Sequence, residues 1–471
     1  MVFSSFSFLC VFLPVLFLLY MLIPTIRAKN YLLLLFSLFF YAYGEPVFVF
    51  LMIGSVFVNY LLAVWLVRWE VKKRVVLALG IVFNLLFLGV FKYAGFFVHT
   101  LNQLPGVSLP VPDITLPIGI SFFTFQVMSY LVDVYRQPEL LERNFSKVLL
   151  YVSFFPQLIA GPIVKYHDVM RYISERKQSP EQVYRGLKRF IIGLAKKVLL
   201  ANTVGQITDM VFALDMDAIP MPLAWLCAVS YLFQIYFDFS GYSDMAIGLG
   251  AMFGFSFKEN FDVPYTAVSI RDFWHRWHIS LSTWFREYLY IPLGGNRKGN
   301  LCKWRNNLIV FFCTGLWHGA SWNFVVWGMI HGVAIVLEDI FHIPERLKKL
   351  PVLGWIYTIG IVMFAFVLFR ADSLSQGMDM IHQMFTGAFM TEGARETVAA
   401  VLTPYNLFVL GMCVVLSLPV KKILQKRETI NKFLQGNCYE VLTACSCLLL
   451  LSASLFCLAG ESYNPFIYFR F

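Results

Sequence analysis

Charge is scarce in this chain. Asp, Glu, Lys and Arg together make up 14% of its 471 residues, while hydrophobic residues reach 59%; soluble domains carry about 25% charged residues. So few charges cannot cover a water-exposed surface, which excludes a soluble globular fold. Metal-type cysteine pairs are missing as well. The nine cysteines lie mostly in apolar tracts, and Cys445 and Cys447 form no C-x-x-C pair, so they read as small core residues. There is no G-x-S-x-G, no P-loop and no G-x-G-x-x-G between a strand and a helix. Serine-hydrolase, nucleotide-hydrolase and dinucleotide chemistry therefore have no sequence support. Repeats and low-complexity tracts are absent, and the longest polar stretch, 165–188, is too short for a soluble domain.

What the chain has is apolar length. Crossing a ~30 Å hydrocarbon core takes about 20 residues, and suitable tracts occur at 7–24, 46–67, 75–95, 115–134, 222–238, 321–341, 352–369, 404–420 and 440–459. Shorter or polar-interrupted pieces lie at 31–43, 147–162, 189–200, 240–256 and 306–316. The expected fold is an all-α polytopic membrane protein, one membrane domain over 1–471, with roughly ten to twelve crossings and some segments that only partly enter the bilayer. The first tract lacks a basic region before it and further spans follow at once, so it is expected to remain as a helix rather than act as a signal peptide.

A net charge of +10 raises the question of nucleic acid, but its placement answers otherwise. The bases sit in short loops: RAKN 27–30, RWEVKKR 68–74, NRKGNLCKWR 296–305, ERLKKL 345–350 and KKILQKR 421–427. By the positive-inside rule these loops face the cytoplasm. The acidic, base-free ALDMDAIPMP at 213–222 then faces the other side. Counting from these loops puts both termini outside, including the closing PFIYFRF at 465–471. The partner expected here is the lipid bilayer, with no nucleic acid.

Region 258–305 mixes charges and aromatics too densely for a span: Trp274, Trp277, Trp284, Phe285 and Tyr288 alternate with Arg271, Arg276 and Arg286. It reads as one or two re-entrant or interfacial helices on the cytoplasmic side. Irregular backbone at membrane depth is tolerated where it lines a cavity, so the interruptions suggest one.

Residues 308–337 contain no Asp, Glu, Lys or Arg but hold His318 and His331. An ionisable group at membrane depth is by default a functional-site hypothesis. His318 lies between Gly315 and Gly319, with Trp317 and Trp322 nearby; the alternative is a neutral histidine bonded to a neighbouring helix. His331, set in long apolar runs, fits that structural alternative better. His275 and His278 are three apart, as residues on one helix face are, with Asp272 three before. No further ligand motif accompanies them, so no metal is expected. Asp238 and Asp244 are the other acids at apparent depth; they either orient a reacting group or bond to Ser240, Tyr242 and Ser243.

Taken together, RDFWHRWHISLSTWFREYLYIPLGGNR and GLWHGASWNFVVWGMIHG resemble the membrane-bound O-acyltransferase superfamily. The nearer likeness is to its bacterial branch of alginate O-acetylation and teichoic acid D-alanylation membrane proteins. LPIGISFFTFQVMSYLVDVYR, FPQLIAGPIVKY, FDFSGYSDMAIGLG, NFDVPY and LFRADS extend the likeness over nearly the whole chain. The resemblance implies a ring of tilted helices around a central funnel, with helices over 306–341 carrying the catalytic histidine, His318. It assigns His278 to the family's second polar position. The acyl group would enter as a cytoplasmic thioester, on coenzyme A (acetyl-CoA) or an acyl-carrier protein, and leave on an acceptor outside. The tail at 461–471 resembles an F-x-Y-F-x-F acceptor motif made by Phe466, Tyr468, Phe469 and Phe471, with Tyr468 as acyl acceptor; an aromatic interfacial anchor is the alternative.

The residue chemistry agrees with that picture. A histidine of near-neutral pKa suits deprotonation of a hydroxyl, and a phenol leaves more readily than an alkyl alcohol. Asn323, Trp317 or His278 would stabilise the oxyanion, with Ser321, Trp277 and Trp274 completing the substrate lining. The function expected is O-acetylation of a cell-surface polysaccharide, completed by a separate extracytoplasmic serine-esterase-like O-acetyltransferase. D-alanyl transfer from a carrier protein toward teichoic acid is one alternative. A non-catalytic transporter or flippase is the other, because buried histidines and aspartates also suit proton-coupled transport.

Overall fold

The computed structural model describes residues 1–387, 392–425, 427, 434, 436–460 and 463–467. Tyr468, Phe469 and Phe471 of the expected acceptor motif therefore lie outside the described residues. Among the described residues the regular elements are helices. Seven are long and apolar enough to cross a bilayer: Phe48–Arg68, Glu70–Leu101, Pro180–Phe212, Met221–Met252, Trp322–Ile340, Pro351–Arg370 and Asn437–Gly460. The pair Glu392–Val401 and Pro404–Leu416, bent by 65° at its break, is either an eighth, broken span or a re-entrant loop. This is a multi-pass helical membrane protein. The expected tracts at 222–238 and 240–256 are joined in one helix of 32 residues, and the tract at 7–24 gives a shorter apolar helix, Ser7–Leu22.

The chain divides into two compact units, one of Met1–Phe190 with Ser243–Lys258 and one of Ile191–Tyr242 with Glu259–Phe471. The first is built on aromatic packing: Phe3, Phe8, Phe12, Phe40 and Phe155 are all buried and contact one another through their rings. Two of its apolar helices are joined by Asn59 and Asn84, which donate to each other's carbonyl oxygens at 3.1 and 2.7 Å. Polar side chains of this kind tie helices together where no hydrophobic force does so.

The second unit holds the residues of chemical interest. Its elements are α1 (Pro180–Phe212), α2 (Met221–Met252), α3 (Ile270–Arg276), α4 (Ile279–Phe285), α5 (Asn300–His318), α6 (Trp322–Ile340), α7 (Pro351–Arg370) and α8 (Asn437–Gly460). The limits of the two units fall inside α1 and α2.

Helices α5 and α6 pack backbone to backbone. A Cβ on Gly315 would lie 2.5 Å from the Phe324 carbonyl oxygen, and Gly328 faces the Phe311 carbonyl equally closely. Small residues let membrane helices approach in this way, and the contact fixes the end of α5, where His318 sits. The start of α3 is set by α6: Glu338 accepts the Ile270 and Arg271 N–H groups at 2.5 and 3.1 Å. The Ser269 hydroxyl takes the Asp272 N–H at 3.0 Å. Two of the helix's unpaired N-terminal donors thus go to an acid and another to a cap residue.

Candidate active site around His318

The backbone breaks between α3 and α4 at His278, whose φ of 44° lies in the left-handed region. For a non-glycine residue that conformation costs about 1–3 kcal/mol and clusters at functional sites. Asn260 holds it: its carbonyl accepts the Ile279 N–H at 3.0 Å. Its side-chain oxygen accepts the Ser280 N–H at 3.1 Å and lies 3.3 Å from His278 Nδ1. The break also separates two residues expected on one face. His275 and His278 are three apart but do not share a helix face, because α3 ends at Arg276 and the chain turns before His278.

His278 is fully buried. It lies outside the spanning helices, and burial pushes its pKa far below the ordinary histidine range, so it stays neutral. Its Nε2 has no hydrogen-bond partner among the described residues. The ring meets Phe239 edge-on at 4.6 Å, Trp317 at 5.8 Å and His318 at 6.4 Å.

His318 closes α5 and is 6% exposed. Trp317, Trp327 and Phe369 surround it with ring centres at 4.8, 4.9 and 5.2 Å. A small cavity touches it, lined by Ile235, Phe239, Trp277, His318, Trp327, Phe366, Phe369 and Ile467. The space open to the centre of a water molecule is about 10 Å³, room for roughly one water. The Trp327 indole N–H has no partner among the described residues, which leaves a buried donor beside the histidine.

Ile467 reaches this cavity from the tail after α8. The segment 463–467 is held by side chains of which sequence reasoning singled out Asp238 alone. Lys197, in a π-helical turn of α1 over Lys196–Ala201, pairs with Asp238 of α2 at 2.9 Å, both side chains only 4% exposed. The same ammonium donates to Asn202 Oδ1 at 2.7 Å and to the Pro465 carbonyl. Asp238 Oδ2 accepts the Ile467 N–H at 2.8 Å. Asn202 donates to the Tyr463 carbonyl at 3.2 Å. The Tyr463 hydroxyl donates to Asp209 Oδ2 at 2.6 Å, and Arg370 of α7 pairs with Asp209 Oδ1 at 2.5 Å. Phe466 stacks on Tyr242 at 4.5 Å. Lys197 sat in plain view at membrane depth, where a charge is itself the signal; its partners carry no local pattern.

A second, larger cavity of about 680 Å³ lies in the same unit. Arg271, His275, Arg286 and Lys303 line it together with Trp274, Ser282, Phe311 and Thr314, so it joins a basic rim to an aromatic wall. Trp274 packs edge-on to Trp327 at 5.8 Å and to His331 at 5.4 Å. His331 is fully buried, with Nδ1 2.9 Å from the Trp327 carbonyl.

The structure therefore groups His318, His278, Trp317 and Trp277 and puts Trp274 in the wall of the basic cavity. Asn323 faces elsewhere: its amide nitrogen donates to the Leu368 and Ala371 carbonyls at 3.3 and 2.8 Å, closing the end of α7. Ser321 is the residue before α6 and does not line the His318 cavity. Asp244 pairs with Arg189 at 2.8 Å in the first unit.

A helical membrane protein with a histidine buried at the end of one helix, facing a second buried histidine, defines a class. The chain matches the membrane-bound O-acyltransferase (MBOAT) family over residues 65–378; it belongs to that family and is an O-acyltransferase. Among the relatives it resembles, a probable alginate O-acetylase (AlgI) of Azotobacter vinelandii is 39% identical, the match covering all of both chains. A peptidoglycan O-acetyltransferase of Helicobacter pylori is 35% identical over all of this chain and 98% of its own length. A teichoic acid D-alanyltransferase of Bacillus subtilis is 28% identical over 54% of this chain and 67% of its own.

Proposed function

We propose that this chain takes an acetyl group from a cytoplasmic thioester and passes it, through His318 and Tyr468, toward O-acetylation of a cell-surface polysaccharide. The observation that carries the reading is the shared cavity: Ile467, the residue before Tyr468 in sequence, lines the same small space as His318. The alginate and peptidoglycan O-acetyltransferases match this chain end to end, whereas the D-alanyltransferase matches about half of it, which favours acetyl over D-alanyl.

The basic cavity suits the thioester donor, with Arg271, Arg286 and Lys303 toward phosphates and Trp274 toward the acyl arm. Acetyl-CoA meets that description, and so does a carrier protein's phosphopantetheine. In the transfer, His318 takes the proton from the Tyr468 hydroxyl as the phenol oxygen attacks the thioester carbonyl. The oxyanion that forms is met by buried donors; the Trp317 and Trp327 rings lie 4.8 and 4.9 Å from the His318 ring and the His278 ring lies 6.4 Å away. The carbon–sulfur bond then breaks, the proton returns from His318 to the departing thiolate, and an acetyl ester remains on Tyr468. The loop charges support a tail on the outer face, from which a separate extracytoplasmic transferase, of the serine-esterase-like kind, receives the group. Mass spectrometry of the C-terminal peptide tests this: an acetyl adduct on Tyr468 supports it, a D-alanyl adduct redirects it, and no adduct in an active preparation overturns it.

A further inference from the structure

Lys197 and Asp238 form a buried ion pair with unspent hydrogen-bonding capacity, and the tail uses it. An ammonium has three N–H donors. Lys197 pairs with Asp238 at 2.9 Å and donates to Asn202 Oδ1 and to the Pro465 carbonyl. The second oxygen of Asp238 accepts the Ile467 N–H at 2.8 Å. Every one of these tail contacts is to backbone, and the two ends of the pair grip groups two residues apart. We infer that this pair is a binding site for peptide backbone, whose ligand is the chain's own segment 465–467 and whose task is to set the register of the residue that follows.

The need for such a site comes from geometry. A one-residue slip of a segment displaces it by about 3.3 Å and turns each side chain to the opposite face. A misplacement of about 1 Å at a reacting group can cost a hundredfold in rate. Aromatic side chains alone do not prevent slippage here, because Phe466, Tyr468, Phe469 and Phe471 offer similar rings at neighbouring positions. A donor aimed at one carbonyl and an acceptor aimed at one N–H admit a single register. Asp209 fixes the upstream end through the Tyr463 hydroxyl. Lys197 and Asp238 are thus positioning residues; the inference about register rests on Tyr468 being the acceptor, while docking of the tail does not.

The test separates a backbone site from a plain ion pair. Full-length protein is prepared as wild type, with Lys197→Met plus Asp238→Leu, with the charges exchanged (Lys197→Asp plus Asp238→Lys), and with Ile467→Pro. Replacing both members of a buried pair by apolar residues is commonly neutral for folding, and the proline lies in the tail, outside the helices. Deuterium uptake of the C-terminal peptide reports docking, and the acyl adduct on the same peptide reports register. We expect exchange at least about tenfold faster in all three variants, with adduct formation falling about as far or further. Exchanged charges should not restore either signal, because the donor would then face Ile467 N–H and the acceptor the Pro465 carbonyl. Wild-type exchange rates in the charge-exchanged variant or in Ile467→Pro would overturn the proposal. Faster exchange in the variants combined with no adduct in wild type would uphold docking and remove the acceptor reading instead.

Discussion

Replacing Gly315 by alanine tests whether the close packing of α5 on α6 sets the place of His318. The added Cβ would lie 2.5 Å from the Phe324 carbonyl oxygen, where ordinary contact begins at 3.4 Å. The helices must therefore separate by about 3.4 − 2.5 = 0.9 Å, one helical turn from His318. Overpacking of this kind costs about 1–3 kcal/mol, offset in part by the ~1 kcal/mol that alanine gains over glycine in a helix. The net loss of stability is about 0–2 kcal/mol, whereas a shift of about 1 Å at a reacting group costs roughly a hundredfold in rate. Activity should thus fall far more than stability. The assay is the initial rate of C-terminal acylation per folded protein, beside a melting curve in detergent. Gly360→Ala serves as control, since nothing lies within 4 Å of its Cβ position; it should leave the rate unchanged. If Gly315→Ala acylates within about threefold of wild type, the packing does not position the histidine.

Three further outcomes follow. Asn323→Ala strands the Leu368 and Ala371 carbonyls and should lower stability by about 1–3 kcal/mol, with acylation per folded molecule falling less than about tenfold; a loss of about a hundredfold or more at unchanged stability would make Asn323 an oxyanion donor after all. Arg286→Gln in the basic cavity should raise the KM for the thioester roughly fivefold and leave kcat within about twofold, a difference that shrinks with added salt; a change in kcat alone would refute donor binding there. His167 lies 2.8 Å from Asp133, whose hydrogen bond raises the imidazole pKa above its ordinary value. That contribution is whole below about pH 6.5 and is lost as pH climbs through the raised value. Melting temperature should therefore decline over that window, and His167→Gln should flatten the decline; a slope unchanged in the variant would assign it to other groups.

The all-helical membrane class was legible because apolar length and loop charge act locally: 352–369 became Pro351–Arg370, and 440–459 lies within Asn437–Gly460. Interrupted tracts were less so. Asp238 and Asp244 look like breaks in sequence, yet α2 runs through both because each finds a cation, Lys197 and Arg189, that only the tertiary structure supplies. His318 stood out as a titratable group in a charge-free run, and His278 entered through resemblance. The left-handed turn that brings His278 toward His318 has only a weak local signature: histidine is enriched in that region among non-glycine residues but does not mark it as glycine does. For the same reason helical spacing wrongly paired His278 with His275. The tail's anchoring was illegible, because Lys197, Asp209 and Asp238 stand far from 463–467 in the chain, and Lys197 and Asp238 meet it through backbone atoms.

The central claim is that His318 moves an acyl group onto the chain's own tail. It is tested most directly by incubating purified full-length protein with acetyl thioester and measuring the mass of the C-terminal peptide, in wild type and in His318→Ala. The account predicts an acetyl adduct on Tyr468 in wild type and none in the variant. An adduct that persists in His318→Ala, or surface acylation that continues without His318, would contradict it.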